Sequence, residues 1–137
     1  MLAPCEIAVK CALPSVRAMI AEKLVNKRNL NQAEAAKLLG VSQPAISHYC
    51  RKIRGKTINL ENDRDIENLI ERLAERLAKG KLPHREFVLE LCEICRTIRA
   101  KRLLCETHKA FDPSIDIENC DVCSTPNSLA CLADSQH

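Results

Sequence analysis

The side chains in this sequence best able to do chemistry are sulfur ligands. Cys92-x2-Cys95 is followed after nine residues by Cys105-x2-His108, and further on by Cys120-x2-Cys123 and then Cys131. A two-residue gap brings two side chains to about the same point, so each pair can grip one side of a metal ion. Three thiolates and one imidazole make a tetrahedral zinc set. Cys92, Cys95, Cys120 and Cys123 make an equally legal four-cysteine set, and spacing does not choose between them. Six thiols exceed what one zinc needs, and the first CxxC lacks the glycine of β-type zinc knuckles, so an iron–sulfur cluster stands beside zinc as the cofactor. Two plainer readings remain, a CxxC that toggles between dithiol and disulfide, and cysteines acting as small apolar core residues. Cys5, Cys11 and Cys50 default to packing, although the PCE at 4–6 could fold back onto the C-terminal site.

Nine cysteines among 137 residues is a high content. The opening MLAPCEIAVK lacks a basic start followed by an apolar core, so the expected compartment is the cytoplasm, where metal or redox chemistry outranks a disulfide framework. No apolar run reaches the roughly 18–20 residues needed to span a bilayer. The length suits one domain or two very small ones and excludes a large multi-domain enzyme. Hydrophobic residues at 46% and charged residues at 28% give a globular balance. Aromatics at 2% and only three glycines argue against base-stacking binders and β-rich folds, and favour a mostly helical chain. No GxxxxGK[ST], GxSxG or HExxH is present, so the chain reads as no enzyme, with thiol oxidoreductase the one enzymatic class left.

The elements that must position the cysteines are helical. Phe87, Leu91, Ile94 and Ile98 follow Pro83 at helical spacing, which places Cys92 and Cys95 one turn apart on a helix. Ahead of it, Ile66, Leu69, Ile70, Leu73 and Leu77 mark an amphipathic helix over 63–79, ended by Gly80. From Asp112 the pattern dissolves, and the tail is expected to be loose without a metal. Earlier in the chain, Val16, Met19, Ile20 and Leu24 predict a helix from Pro14 to Lys27. Asn31 with Glu34 reads as a capping box opening a second helix over 32–39. Gly40 ends it at positive φ, and Ser42 caps a third helix over 43–51 whose first turn tolerates Pro44.

Charge divides along the same line. Residues 1–56 carry ten Lys and Arg against three acids, a net +7, while residues 57–137 carry eleven against fifteen, a net −4. The basic half is the half that suits nucleic acid. Within it, Ala36 is small where the second helix meets the third, Gly40 makes the turn, and Ile46 plugs the shared core, with Leu39, Val41 and Tyr49 around it. The stretch QAEAAKLLGVSQPAISHY resembles the helix-turn-helix of the phage-repressor-like (XRE) transcription regulators. With PCEIAVKCALPSVRAMIAEKL before it and CEICRTIRAKRLLCETH behind it, the chain resembles an archaeal group of predicted XRE-type regulators.

That resemblance implies double-stranded DNA as partner, with the third helix in the major groove. Gln43, Ser47 and His48 are then the base-contact candidates, and Gln32, Ser42, Arg51 and Lys52 the phosphate contacts. Pro44 stands where a base-reading polar side chain is often found, which shifts weight to its neighbours or to DNA shape. A lone helix-turn-helix covers about 600–1,000 Å² of DNA, so a homodimer is expected, with the helix over 63–79 and the helix after Pro83 as its surface. The expected architecture is all-α. A helix-turn-helix bundle occupies 1–56, a helical dimerisation or linker region 57–111, and a cysteine-rich tail 112–137 completes a metal or cluster site with Cys92, Cys95 and Cys105. The function read from this is a DNA-binding transcription regulator responsive to redox state or metal; the alternative is a thiol redox protein or an adaptor with structural zinc.

Overall fold

A computed structural model of the chain describes residues 3–50, 60, 62–80 and 82–124, which are helical and turn structure with no strand among them. Six helices appear in these residues: α1 over 4–27, α2 Gln32–Leu39, α3 Gln43–Cys50, α4 Arg64–Ala78, α5 His84–Ala100 and α6 Cys105–Phe111, with a 3₁₀ turn at Val122–Ser124.

The first helix begins at Pro4, well ahead of the expected Pro14. A proline inside a helix lacks its N–H and crowds the carbonyl four residues back, which is why Pro14 reads as a start. Here the turn just before it, Ala8–Ala12, is a π-turn in which the Leu13 N–H donates to the Ala8 carbonyl, and the wider turn lets the chain pass through Pro14 without stopping. A second π-turn, Lys23–Lys27, ends the helix, with Arg28 N–H donating to Lys23 O at 3.1 Å and Asn29 at φ 59°.

The core is continuous across the described helices. Ile7, Val16, Ile20 and Leu24 of α1 meet Ala35 of α2, Ile46 of α3, and Ile66, Ile70 and Leu73 of α4, all with essentially no exposed surface. The α4 stripe is covered by α1 on one side and by Leu91, Ile94 and Ile98 of α5 on the other. Apolar residues at three and four spacing must be covered, and for the α4 stripe the same chain covers them. The pair α4 and α5 run antiparallel. Lys101 at the end of α5 reaches Asp63 and Asp65 at the start of α4 (3.2 and 2.6 Å), and Arg76 near the end of α4 reaches Glu86 and Glu90 near the start of α5.

The chain turns between α5 and α6 at Arg102, a non-glycine residue at φ 61°. Beyond α6 the described residues 112–124 form turns held by side-chain bonds; the rest of the tail, expected to be loose without a metal, lies outside the described residues. The Asp112 carboxylate accepts from the Ser114 hydroxyl at 2.6 Å, and Asp116 accepts from Asn119 Nδ2 at 2.6 Å and Glu118 N–H at 3.2 Å. The Arg102 guanidinium donates to the carbonyls of Cys120 (2.7 Å) and Ile117. Short polar side chains close the turns locally, and one long cation fastens them to the helices.

Candidate nucleic-acid interface and cysteine cavity

The α2–turn–α3 unit is built by local rules that the sequence carries openly. Asn31 Oδ1 accepts the Glu34 N–H at 2.8 Å and opens α2. Gly40 takes φ 67°, and the Val41 N–H donates back to Ala36 O at 3.1 Å, which closes α2 in a Schellman-type turn. Ser42 Oγ then accepts the Ala45 N–H at 3.2 Å and opens α3. Ala36, Leu39, Ala45, Ile46 and Tyr49 face the core.

What this leaves outward is the start of α3. Ser42, Gln43 and Pro44 are exposed, and Ser47, His48 and, at the start of α2, Gln32 are half-buried. Arg51 and Lys52, expected on phosphates, lie outside the described residues. Not all the charge of the basic half faces outward. Lys23, buried at 7% exposure, pairs with Glu71 at 2.9 Å and Glu67 at 3.3 Å. Lys27 and Arg28 also reach Glu71, at 3.5 and 3.0 Å. Burial opposes the Lys23 charge, but the bonds to Glu71 and Glu67 outweigh it and raise the Lys23 pKa above its ordinary value. The Lys23 bond in turn holds the Glu71 carboxyl below the usual range, against its own partial burial.

At the other end of α1 the cysteines gather. Cys105, His108, Cys120 and Cys123 line one cavity of about 240 Å³ together with Arg99 and Asp112. Pro4, from the first turn of α1, closes another wall. Arg99 is 6% exposed, and its Nη1 donates toward Cys5 Sγ at 3.8 Å. The same guanidinium hydrogen-bonds Cys123 and stands near Cys95. Burial works against the Arg99 charge, yet the bond to Cys123 and the neighbouring sulfurs of Cys5 and Cys95 raise its pKa overall. Burial pushes the Cys105 thiol up, opposed by the Arg102 charge and reinforced by Cys123 and Cys120.

Of the predicted ligands, Cys95, Cys105, His108, Cys120 and Cys123 are thus brought to one region, and Cys5 does fold back onto it. Cys92 and Cys95 are both half-buried on α5 and neither lines the cavity, Cys95 lying near it beside Arg99; Cys131 lies outside the described residues. Among the described residues no three His, Cys, Asp or Glu side chains are close enough together to hold a metal ion. The donors surround a cavity rather than meeting at a point. Sequence reasoning missed Arg99, whose signal was its spacing, four residues after Cys95 and therefore on the same helical face. Arg102 and the Lys23–Glu71 pair carried no sequence signal, since each depends on partners far along the chain.

A helix-turn-helix family model matches residues 20–62, which include α2, the Gly40 turn and α3. The match supports the reading of α2 and α3 as a DNA-binding helix-turn-helix. No curated protein and no solved structure is significantly similar to the chain. Among the described residues no helix is long and apolar enough to cross a membrane.

Proposed function

We propose that the protein is a sequence-specific transcription regulator that lays the start of α3 in the major groove of duplex DNA, and whose cysteine cavity responds to redox state or to a metal. The observation that carries the DNA reading is the exposed 42–44 corner, set by two capped helices on a glycine turn. Gln43 presents a carbonyl and an amide that together match the edge of adenine. Ser47 and His48 lie one turn on and reach adjacent bases. Ser42 uses an acceptor lone pair in its cap, which leaves its O–H free to donate to phosphate, and Gln32, Arg51 and Lys52 supply further phosphate contacts. Pro44 offers no donor, so part of the readout falls to groove shape.

A single unit of this size covers too little DNA for tight binding, so the active species is a homodimer on two half-sites. Its surface is not the α4 stripe. The soft donor set of Cys95, Cys105, His108, Cys120 and Cys123, with Cys92 and Cys131 in reserve, suits zinc or an iron–sulfur cluster. Zinc would brace the tail, and a cluster would add an electron-accepting centre. Either group would require these donors to close in around it beside the first turn of α1, since among the described residues no three of them meet at a point.

Selection of bound sequences from random duplexes tests the reading, followed by anisotropy titration of Gln43→Ala. The variant should lose about 1–3 kcal/mol of affinity, and the loss should be confined to one base position. Failure to enrich any sequence would sink the proposal in favour of an adaptor. Analysis for zinc, iron and acid-labile sulfide on protein purified without oxygen decides the cofactor.

A further inference from the structure

The first turn of α1 and the last described turn of the chain are far apart in sequence, yet they meet at one side chain. Arg99 is buried between them, with Cys5 Sγ 3.8 Å from Nη1 and the Cys123 thiol hydrogen-bonded to the same guanidinium. Pro4, next to Cys5, and Cys123 itself line the same cavity. Cys5 is exposed and Cys123 half-exposed, so a small oxidant reaches this pair from solvent. One buried guanidinium thus contacts both sulfurs and brings two cysteines from opposite ends of the described chain to the same cavity.

We propose that Cys5 and Cys123 form a disulfide when the protein meets a hydroperoxide, tying the first turn of α1 to the 3₁₀ turn at Val122–Ser124. This rests on the reading of the cysteine cavity as the sensory site and names the pair that changes state. In the first step one thiolate attacks a peroxide oxygen: an S–O bond forms, the O–O bond breaks, and the departing oxygen takes a proton and leaves as alcohol, or as water from hydrogen peroxide. The sulfur is now a sulfenic acid. In the second step the other thiolate attacks that sulfur, the S–S bond forms, the S–O bond breaks, and the oxygen leaves as water. Two thiols and one hydroperoxide give one disulfide, one alcohol and one water; the sulfurs lose two electrons and the peroxide gains them. A thiol reductant reverses the tie by exchange.

The test uses the full reduced chain in the presence of a chelator, treated with hydrogen peroxide, alkylated, digested and mapped by mass spectrometry. The expected product is a peptide pair joined through Cys5 and Cys123, lost completely in Cys5→Ser and retained in Cys95→Ser. Cys5 is at the surface, so Cys5→Ser leaves the core intact. Recovery of Cys5 in alkylated form while other cysteines pair, or its joining to a different cysteine, overturns the proposal. Anisotropy of DNA binding by the oxidised chain separates the two levels. If the tie forms and affinity is unchanged, the pair stands as a modification site and the sensory reading falls; if the tie is absent and affinity still shifts, the pair is wrong and the sensory reading survives.

Discussion

Two of the turns among the described residues, each with one residue at positive φ, use it in opposite ways: Gly40 at 67° between α2 and α3, and Arg102 at 61° between α5 and α6. Gly40 needs nothing from the rest of the chain: a Cβ there would touch no atom within 4 Å, and the backbone angle alone selects glycine. Arg102 accepts a backbone cost of about 1 kcal/mol or more, and its side chain then fastens the carbonyls of Ile117 and Cys120 beside the cavity. The DNA-facing turn is therefore specified locally, and the cysteine region by long-range clasps.

The sharpest way to break that contrast is to ask whether the two regions are separate at all. Ile70 has no exposed surface and belongs to the core that both regions share. Ile70→Ala should cost about 2–5 kcal/mol. In chemical denaturation, fluorescence of Tyr49, the only tyrosine in a chain without tryptophan, reports the helix-turn-helix, and thiol labelling reports the cavity. Both should move to the same lower midpoint; two midpoints would show independent units.

A smaller effect is expected at the clamp between α1 and α4. Glu71→Gln should cost about 1–2 kcal/mol at neutral pH, less than a fully buried pair, because Lys23 keeps Glu67 and Glu71 is a third exposed. The pH dependence has a definite sign. The Glu71 pKa is lowered in the fold, so its contribution is complete above the ordinary value of 4.5 and is lost as pH falls through the folded value. The Lys23 pKa is raised, so its contribution is complete below 10.5 and is lost as pH rises through the folded value. The stability gap between wild type and variant should be flat across the middle of the range and close at both ends.

The two turns themselves give the smallest and most pointed pair. Gly40→Ala should cost about 1 kcal/mol by thermal denaturation. Arg102→Gly relieves backbone strain while releasing the tail, so net stability should change by about 0.5 kcal/mol or less, while labelling of Cys120 and Cys123 by a thiol reagent should rise severalfold.

This contrast explains what the sequence disclosed. Asn31, Gly40 and Ser42 act on atoms within four residues of themselves, so their roles are readable from spacing, and each is found in the expected place. The helix start failed at Pro14 because a π-turn that accommodates a proline leaves no mark in residue type. The α4 stripe was legible as buried, but not as buried by whom, since periodicity names a face and not its partner. The cysteine pairs were legible as chemistry, yet Arg99, which links Cys5, Cys95 and Cys123, depends on contacts spanning most of the chain, which no local pattern encodes.

The Glu67 and Glu71 carboxylates on α4 also set how DNA would experience this protein in salt. Binding is driven by counterions released from phosphates as cations replace them, with a slope of about −0.9 per phosphate neutralised. Ten Lys and Arg in residues 1–56 would allow a slope near −9, but Lys23, Lys27 and Arg28 already have an internal anion. The ceiling falls to about −6. By holding three cations back, α4 makes association less sensitive to ionic strength and leaves a larger share of the affinity to the bases that the start of α3 can read.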